Sequence, residues 1–459
     1  MKRSCFLALM LALSSCSPSS DPAPANVPPK IASFVIQKEK HAQDLAKMRA
    51  EKVPSGVWKY FRLARERKWR AASRVYEDLR ERSGQVESSR HDPEFTSATW
   101  CALVDVQLAL DAYIQGEPKY PTAFGEGVVQ SIPRGSIYFG GTDSGRGLPT
   151  AFSSSHADGD PFFTLTQNAL ADGRYLNYIR DTYGGKIQTP TGEDSQQCFQ
   201  DYLVDAQKRL EHDRKSPGEP RQLKPGEDVS IVNNKVQVSG QVAVMAINGL
   251  LTKVIFDRNL EREFYVEESF PLDWMYPHLA PHGLIMKIHR EPIPSLTPEI
   301  VAKDREFWTK QQATMIGDWL TPDTPVKEVC DFAEKVFLKK DLTGFRGDPA
   351  FVRSHYATAM YSKLRSSIGG VYNWRIANTS SKEEQQRMIQ EADFAFRQSF
   401  ALCPVSPEAI FRYVNLLVQR VRIDDALLIG YTAERLKPKD PQIQNLVTEL
   451  ERIRNTQPK

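Results

Sequence analysis

The sequence predicts a mixed α+β / α/β fold in which helical hairpins at both ends flank a mixed-sheet α/β domain. Three observations carry that prediction. Apolar residues recur at helical spacing in residues 31–118 and again in 313–459. Between them, residues 119–312 hold short β-rich runs that alternate with helical stretches. Near the C-terminus a pattern repeats after 34 residues, as Ala392, Phe396 and Pro404 return as Ala426, Gly430 and Pro438.

The chain opens with Lys2 and Arg3, then an apolar run from Cys5 to Leu13 that is too short to span a bilayer. Leu13-Ser14-Ser15-Cys16 follows. An aliphatic residue, two small residues and a cysteine in that position resemble the signal of bacterial lipoproteins. The resemblance implies a signal peptide over residues 1–15 and a lipid, palmitate among its acyl chains, on Cys16. It also implies a membrane-anchored protein of the cell envelope, facing the periplasm or the exterior. An ordinary secretory signal with a chance cysteine is the alternative. Residues 16–30 are mostly Ser, Pro and Ala, cannot bury enough apolar surface to fold, and read as a disordered tether.

In the first helical block, Trp69, Ala72, Tyr76 and Leu79 stand at i, i+3, i+7 and i+10 and share one helix face. Pro93 opens a further helix with apolar Trp100, Leu103, Val104, Leu108 and Ala109. Arg62, Arg65, Arg67, Lys68, Arg70 and Arg74 crowd the same region. They either meet anionic head groups or an acidic partner, or form a solvated helix face, and the second is the preferred reading.

The middle block supplies the strands. Ile137–Phe139, Phe163–Leu165, Phe264–Val266 and Leu284–Ile288 are expected in one mixed sheet. Val229 to Val238 reads as strand structure around Asn233-Asn234. Cys198–Leu210 reads as an amphipathic helix and Gln241–Phe256 as a buried one. In the C-terminal block, a small residue lets two helices approach, an aromatic or small residue follows one turn on, and a proline ends the second helix. That spacing resembles the tetratricopeptide repeat, with Val326–Lys340 and Pro349–Arg365 as further hairpin helices and Gln444–Ile453 as a cap. Gly430 stands where the repeat usually has an aromatic, so loose packing is expected there.

Composition excludes several classes. Lys+Arg 60 against Asp+Glu 57 does not call for nucleic acid. Eight histidines without metal-ligand spacing signal no metal site, and no motif signals a cofactor. Cys101, Cys198, Cys330 and Cys403 read as small buried hydrophobes, with disulfide pairing left open. No later segment approaches about eighteen consecutive apolar residues, so the lipid is the expected membrane attachment.

Candidate chemistry gathers at two strand ends. The first is Gly140–Gly147, where four glycines let backbone approach a ligand, Asp143 offers a carboxylate and Arg146 a guanidinium. A tight structural turn is the competing reading. The second is Glu267, Glu268 and the run on to Asp273 and His278, where carboxylates would serve acid–base or metal chemistry, or else cap a helix. His278 and His282 lie four apart, but Pro277 and Pro281 argue against a helix there.

Three stretches, Ile132–Asp143, Thr166–Asp172 and Glu267–His278, resemble the soluble C-terminal part of verrucomicrobial-type multi-pass membrane proteins related to predicted protein O-mannosyltransferases. The resemblance spans about residues 130–440 and lacks the catalytic membrane core. It implies a shared accessory domain and carries over no glycosyl transfer. The candidate ligand-binding residues are Gly141, Asp143, Arg146, Asn168, Glu267, Glu268 and Asp273, with no catalytic residue assigned. The expected function is binding or scaffolding of a protein, peptide or glycan at the envelope. The rival is a carbohydrate-active enzyme, or a glycosyltransferase accessory domain, using Asp143 and Glu267.

Overall fold

The computed structural model describes residues 27–83, 97–141, 143–153, 162–232, 235–267 and 271–456. The signal segment, Cys16, Pro93, Asn233-Asn234 and Glu268 lie outside the described residues.

The chain begins with α1 (Pro29–Met48), α2 (Ser55–Arg65), α3 (Trp69–Arg82), α4 (Ser97–Gln115) and α5 (Lys119–Ser131). Then come β1 (Ile137–Gly140), α6 (Ser144–Phe152), β2 (Phe163–Thr166), α7 (Gly173–Tyr183) and α8 (Gly192–Lys215). The hairpin β3 (Asp228–Val232) and β4 (Lys235–Ser239) leads into α9 (Gly240–Arg258) and β5 (Phe264–Glu267). Strands β6 (Leu279–His282) and β7 (Ile285–Ile288) precede α10 (Pro298–Ile316), α11 (Val326–Ala333) and α12 (Pro349–Arg353). The chain closes with α13 (His355–Asn378), α14 (Lys382–Leu402), α15 (Pro407–Gln419), α16 (Ile423–Leu436) and α17 (Pro441–Thr456).

The fold is mixed α+β with helical regions at both ends. One sheet has the order β2-β1-β5-β7-β6, and β3-β4 forms a second, two-stranded one. The larger sheet is mixed, because β1 and β2 run parallel while β6 and β7 run antiparallel. All four strands expected of it from sequence belong to it. Strand β6 was not expected, because its Leu-Ala-Pro-His sequence carries a proline and no alternation. Helix α1 takes in Pro29 and Lys30, which composition assigns to the tether, since proline suits the first helical position.

The chain forms two compact units. The first holds the described residues up to Ile114 together with Ile132–Phe264 and Leu272–Trp274. Here the periodicity of α3 is realised, with Trp69, Ala72, Tyr76 and Leu79 all buried. Tyr76 stacks on Trp100 with ring centroids 5.3 Å apart, and Trp69 meets Tyr113 edge-on at 6.2 Å. The basic residues of α2 and α3 form a largely solvated face, with Arg65 paired to Glu39 and Lys68 to Glu66. Tyr202, Ala206 and Ala243 make a small core between α8 and α9, lined by Val229 and Val238 of the hairpin.

Helix α9 is long and apolar enough to cross a membrane, by length and composition only. The expectation of a buried helix holds on one side only: Ala243, Asn248, Leu251, Thr252, Ile255 and Phe256 are buried, while the remaining positions are half-buried or exposed. Asn248 accepts a hydrogen bond from the Ala171 amide at 2.8 Å and donates to the Asn168 carbonyl at 3.0 Å. Thr252 accepts one from Trp274 Nε1 at 3.0 Å.

The second unit holds Gln115–Ser131, Tyr265–Pro271 and the described chain from Met275 on. From α13 to α17 each helix packs on the next. Ala392 and Ala426, the small residues of the 34-residue register, are both fully buried. At Gly369 an added Cβ would lie 2.8 Å from Phe396, so the missing side chain sets how closely α13 and α14 approach. Gly430 corrects the expectation of loose packing. A Cβ there would stand 3.2 Å from Val447 and 3.4 Å from Leu450, so α17 has moved into the space an aromatic would fill. A buried polar network fixes the start of this stack. Arg365 donates to Asp304 at 2.7 Å and to Gln398 at 2.8 Å, and Gln398 donates to Gln312 at 2.9 Å.

Between α15 and α16, Val421 sits at φ 58° and is 73% exposed. A β-branched residue is strained in that region, and its exposed side chain returns little by packing. Val421→Gly is therefore expected to raise unfolding stability by about 0.5–1 kcal/mol. Urea denaturation of the two proteins measures the change, and a loss of stability would show that Val421 is not strained.

Candidate functional site

Strand β1 is pure core, Ile-Tyr-Phe-Gly, with all four residues buried. It stops where the glycines begin, and α6 starts four residues later. Asp143 is the N-cap of α6, its carboxylate accepting from the Gly145 amide at 2.9 Å. Tyr138 donates to the Gly145 carbonyl at 2.7 Å, and Ser144 to the Leu108 carbonyl on α4 at 2.8 Å.

The glycines answer to packing. A Cβ on Gly140 would lie 2.7 Å from Arg146 Cβ, and one on Gly147 would lie 2.7 Å from Leu108 Cβ. Side chains at either position would push α6 off β1 or off α4. The expected ligand-cradling role of this loop thus gives way to close helix–strand and helix–helix contact.

Arg146 also differs from its expected role as an outward anion clamp. It turns inward, 4% exposed, and its Nη1 donates to Asp105 of α4. Lys38 of α1, 2% exposed, donates to the other Asp105 oxygen at 2.6 Å and to the Tyr178 hydroxyl at 2.7 Å. Tyr178 of α7 donates to the same Asp105 oxygen at 2.8 Å. One carboxylate thus receives three donors from three helices. Burial works to raise the Asp105 carboxyl, but the charges and hydrogen bonds of Lys38 and Arg146 outweigh it and hold it well below the usual carboxylate range. Burial lowers the Lys38 ammonium, opposed in part by Asp105. Burial pushes Tyr178 up, so it stays neutral.

Edge strand β2 lies beside this cluster, hydrogen-bonded to helix α7 through tyrosines. Tyr183 accepts from the Thr164 amide at 3.1 Å and donates to its carbonyl at 2.7 Å, while Tyr175 accepts from the Thr166 amide at 2.6 Å. The main chain is satisfied, but several side chains are not. Thr164 Oγ1, Arg146 Nε and both amide atoms of Gln167 are buried without a partner.

Gly141, Asp143, Arg146 and Asn168 belong to the first unit, with Asn168 half-buried in the turn after β2. Asp273 is exposed in the same unit and accepts from Lys224 at 2.7 Å. Glu267 belongs to the second unit, 2% exposed and ion-paired with Lys363 at 2.9 Å. His278 and His282 flank and end β6 instead of sharing a helix, and bond to the carbonyls of His289 and Ser131. Cys101, Cys198, Cys330 and Cys403 are free thiols. Among the described residues no group of three or more His, Cys, Asp or Glu could hold a metal ion.

Sequence reasoning missed Lys38, Asp105, Tyr178, Thr164, Thr166 and Gln167. Two of them left a signal. Lys38 continues the buried face of α1 set by Ile31, Phe34 and Val35, and Asp105 interrupts an apolar helix. A charge on an apolar stripe announces a buried partner.

The ion cluster predicts an asymmetry between its members. Asp105→Asn leaves two buried cations without a counter-charge and should cost about 3–5 kcal/mol. Lys38→Met leaves the Arg146–Asp105 pair balanced and should change stability by less than about 1 kcal/mol. The Asp105 contribution is present above its unfolded pKa of about 3.9 and is lost as pH falls toward its depressed folded value. Urea denaturation should therefore show the native and Asp105→Asn stabilities converging below pH about 4. Equal costs for the two variants, or a gap independent of pH, would remove the charge argument.

No protein-family model, curated protein or solved structure matches the chain.

Proposed function

We propose that this chain is a lipid-anchored binding or scaffold protein of the bacterial cell envelope, engaging a protein, peptide or glycan partner through its helical repeats and sheet region. The observation that supports the binding class is the use made of the two carboxylates on which an enzymatic reading depends. Asp143 caps α6, and Glu267 is buried against Lys363. A general acid or base must reach a substrate proton; Glu267 is buried, and Asp143 has one oxygen engaged in the cap. The successive packing of α13 to α17 favours a partner surface, because stacked hairpins present extended faces.

The anchor rests on Leu13-Ser14-Ser15-Cys16. Expressed in a bacterial host, the native chain should fractionate with membranes and take up labelled palmitate, while Cys16→Ser should be unlabelled and soluble in the envelope fraction. A Cys16→Ser chain that keeps label and membrane association overturns the anchor. The binding class has its own test. Native chain incubated with isolated envelope glycan should release no more reducing ends than Asp143→Asn/Glu267→Gln, and release by the native chain alone would restore the enzyme.

A further inference from the structure

We infer that the first unit contains an internal site for a small oxyanion between α6 and β2, formed by Thr164, Thr166 and Arg146. The inference is independent of the anchor and of any envelope partner.

The register of the parallel pair places these groups together. Tyr138 pairs with Thr164 and Gly140 with Thr166. In a parallel ladder, paired residues direct their side chains to the same face, and residues two apart share that face. Both β1 members of these pairs meet α6. The Tyr138 hydroxyl bonds to the Gly145 carbonyl, and the direction a Gly140 side chain would take is filled by the Arg146 stem, whose Cγ lies 3.1 Å from that Cβ position. Thr164 and Thr166 therefore direct their hydroxyls toward α6, beside the Arg146 stem. Thr166 is 2% exposed, Thr164 4% and Arg146 4%; Thr164 Oγ1 and Arg146 Nε are buried without a partner, while the Thr166 hydroxyl lies against that of Tyr175. Gln167, fully buried and next along the chain, leaves both amide atoms unpartnered.

The unused groups are mostly donors. Arg146 Nε–H can only donate, and a threonine hydroxyl donates or accepts. The charge points the same way. Lys38 and Arg146 share one carboxylate, Asp105. The other titratable groups around them, Cys101, Tyr175, Tyr178 and Tyr183, are all pushed toward their neutral forms by burial. Asp172 is engaged by Arg174. Burial lowers the Lys38 ammonium too, but a buried cluster that sets two basic groups on one carboxylate and leaves donors unsatisfied suits a small anion with several acceptor oxygens, of carboxylate or phosphate type.

The test uses the full chain and follows the thermal midpoint in sodium acetate and in sodium phosphate, against sodium chloride at matched ionic strength and pH 7. The native protein should show a midpoint that rises with oxyanion concentration beyond the chloride control. A rise in acetate alone assigns a carboxylate, and one in phosphate alone assigns phosphate. Thr164→Val removes a hydroxyl that has no partner, so its chloride midpoint should not fall, while its apparent oxyanion affinity should drop at least tenfold. Lys38→Met removes the second basic group of the cluster from outside the site and should weaken the oxyanion by a similar factor. An absence of oxyanion-specific stabilisation in the native chain overturns the site, as does a response of native size in both variants.

Discussion

The first unit depends on one buried carboxylate. Asp105 stands in the middle of α4, and α1, α6 and α7 each place a donor on it through Lys38, Arg146 and Tyr178. Desolvating these charges is costly, and the cost is offset only when their geometry is complete. The arrangement thus acts on position more than on gross stability. Helix α6 must lie where Arg146 reaches Asp105, and α1 must turn Lys38 inward. The glycines follow from the same demand. Gly140 lets the Arg146 stem pass over β1, and Gly147 lets α6 close on α4 beside Asp105. A loop whose composition suggests ligand binding is explained by the approach of one helix.

The second unit uses a similar device with balanced charge. Asp304, Arg365 and the amides of Gln312 and Gln398 link α10, α13 and α14 below the surface. Tyr372 adds a hydroxyl to the same Asp304 oxygen at 2.7 Å. One basic group meets one carboxylate here, whereas in the Asp105 cluster two basic groups share one.

Much of the fold was legible because apolar spacing reports burial directly. The face of α3, the strands β1, β2, β5 and β7, and the alanines of the 34-residue register all fell where periodicity put them. Strand β6 was not legible, since Pro281 and two histidines give no alternating pattern and its pairing with β7 is set by tertiary context. The candidate site was legible only by location. The Gly140–Gly147 segment does stand at a strand end, but the partners that fix Arg146 come from α1, α4 and α7, distant in sequence. Thr164 and Thr166 read as ordinary β-branched strand residues until the register shows which face they share with α6.

Lys38 and Arg146 compete for a single counter-charge, Asp105. A double-mutant cycle on Asp105→Asn and Lys38→Met, read by urea denaturation at neutral pH, tests it most directly. Without Asp105 the two cations repel in a desolvated site, so removing Lys38 should relieve part of the damage. The account predicts that the double variant is more stable than Asp105→Asn alone, with a coupling of at least about 1 kcal/mol. Additive effects, or a double variant less stable than Asp105→Asn, would contradict it.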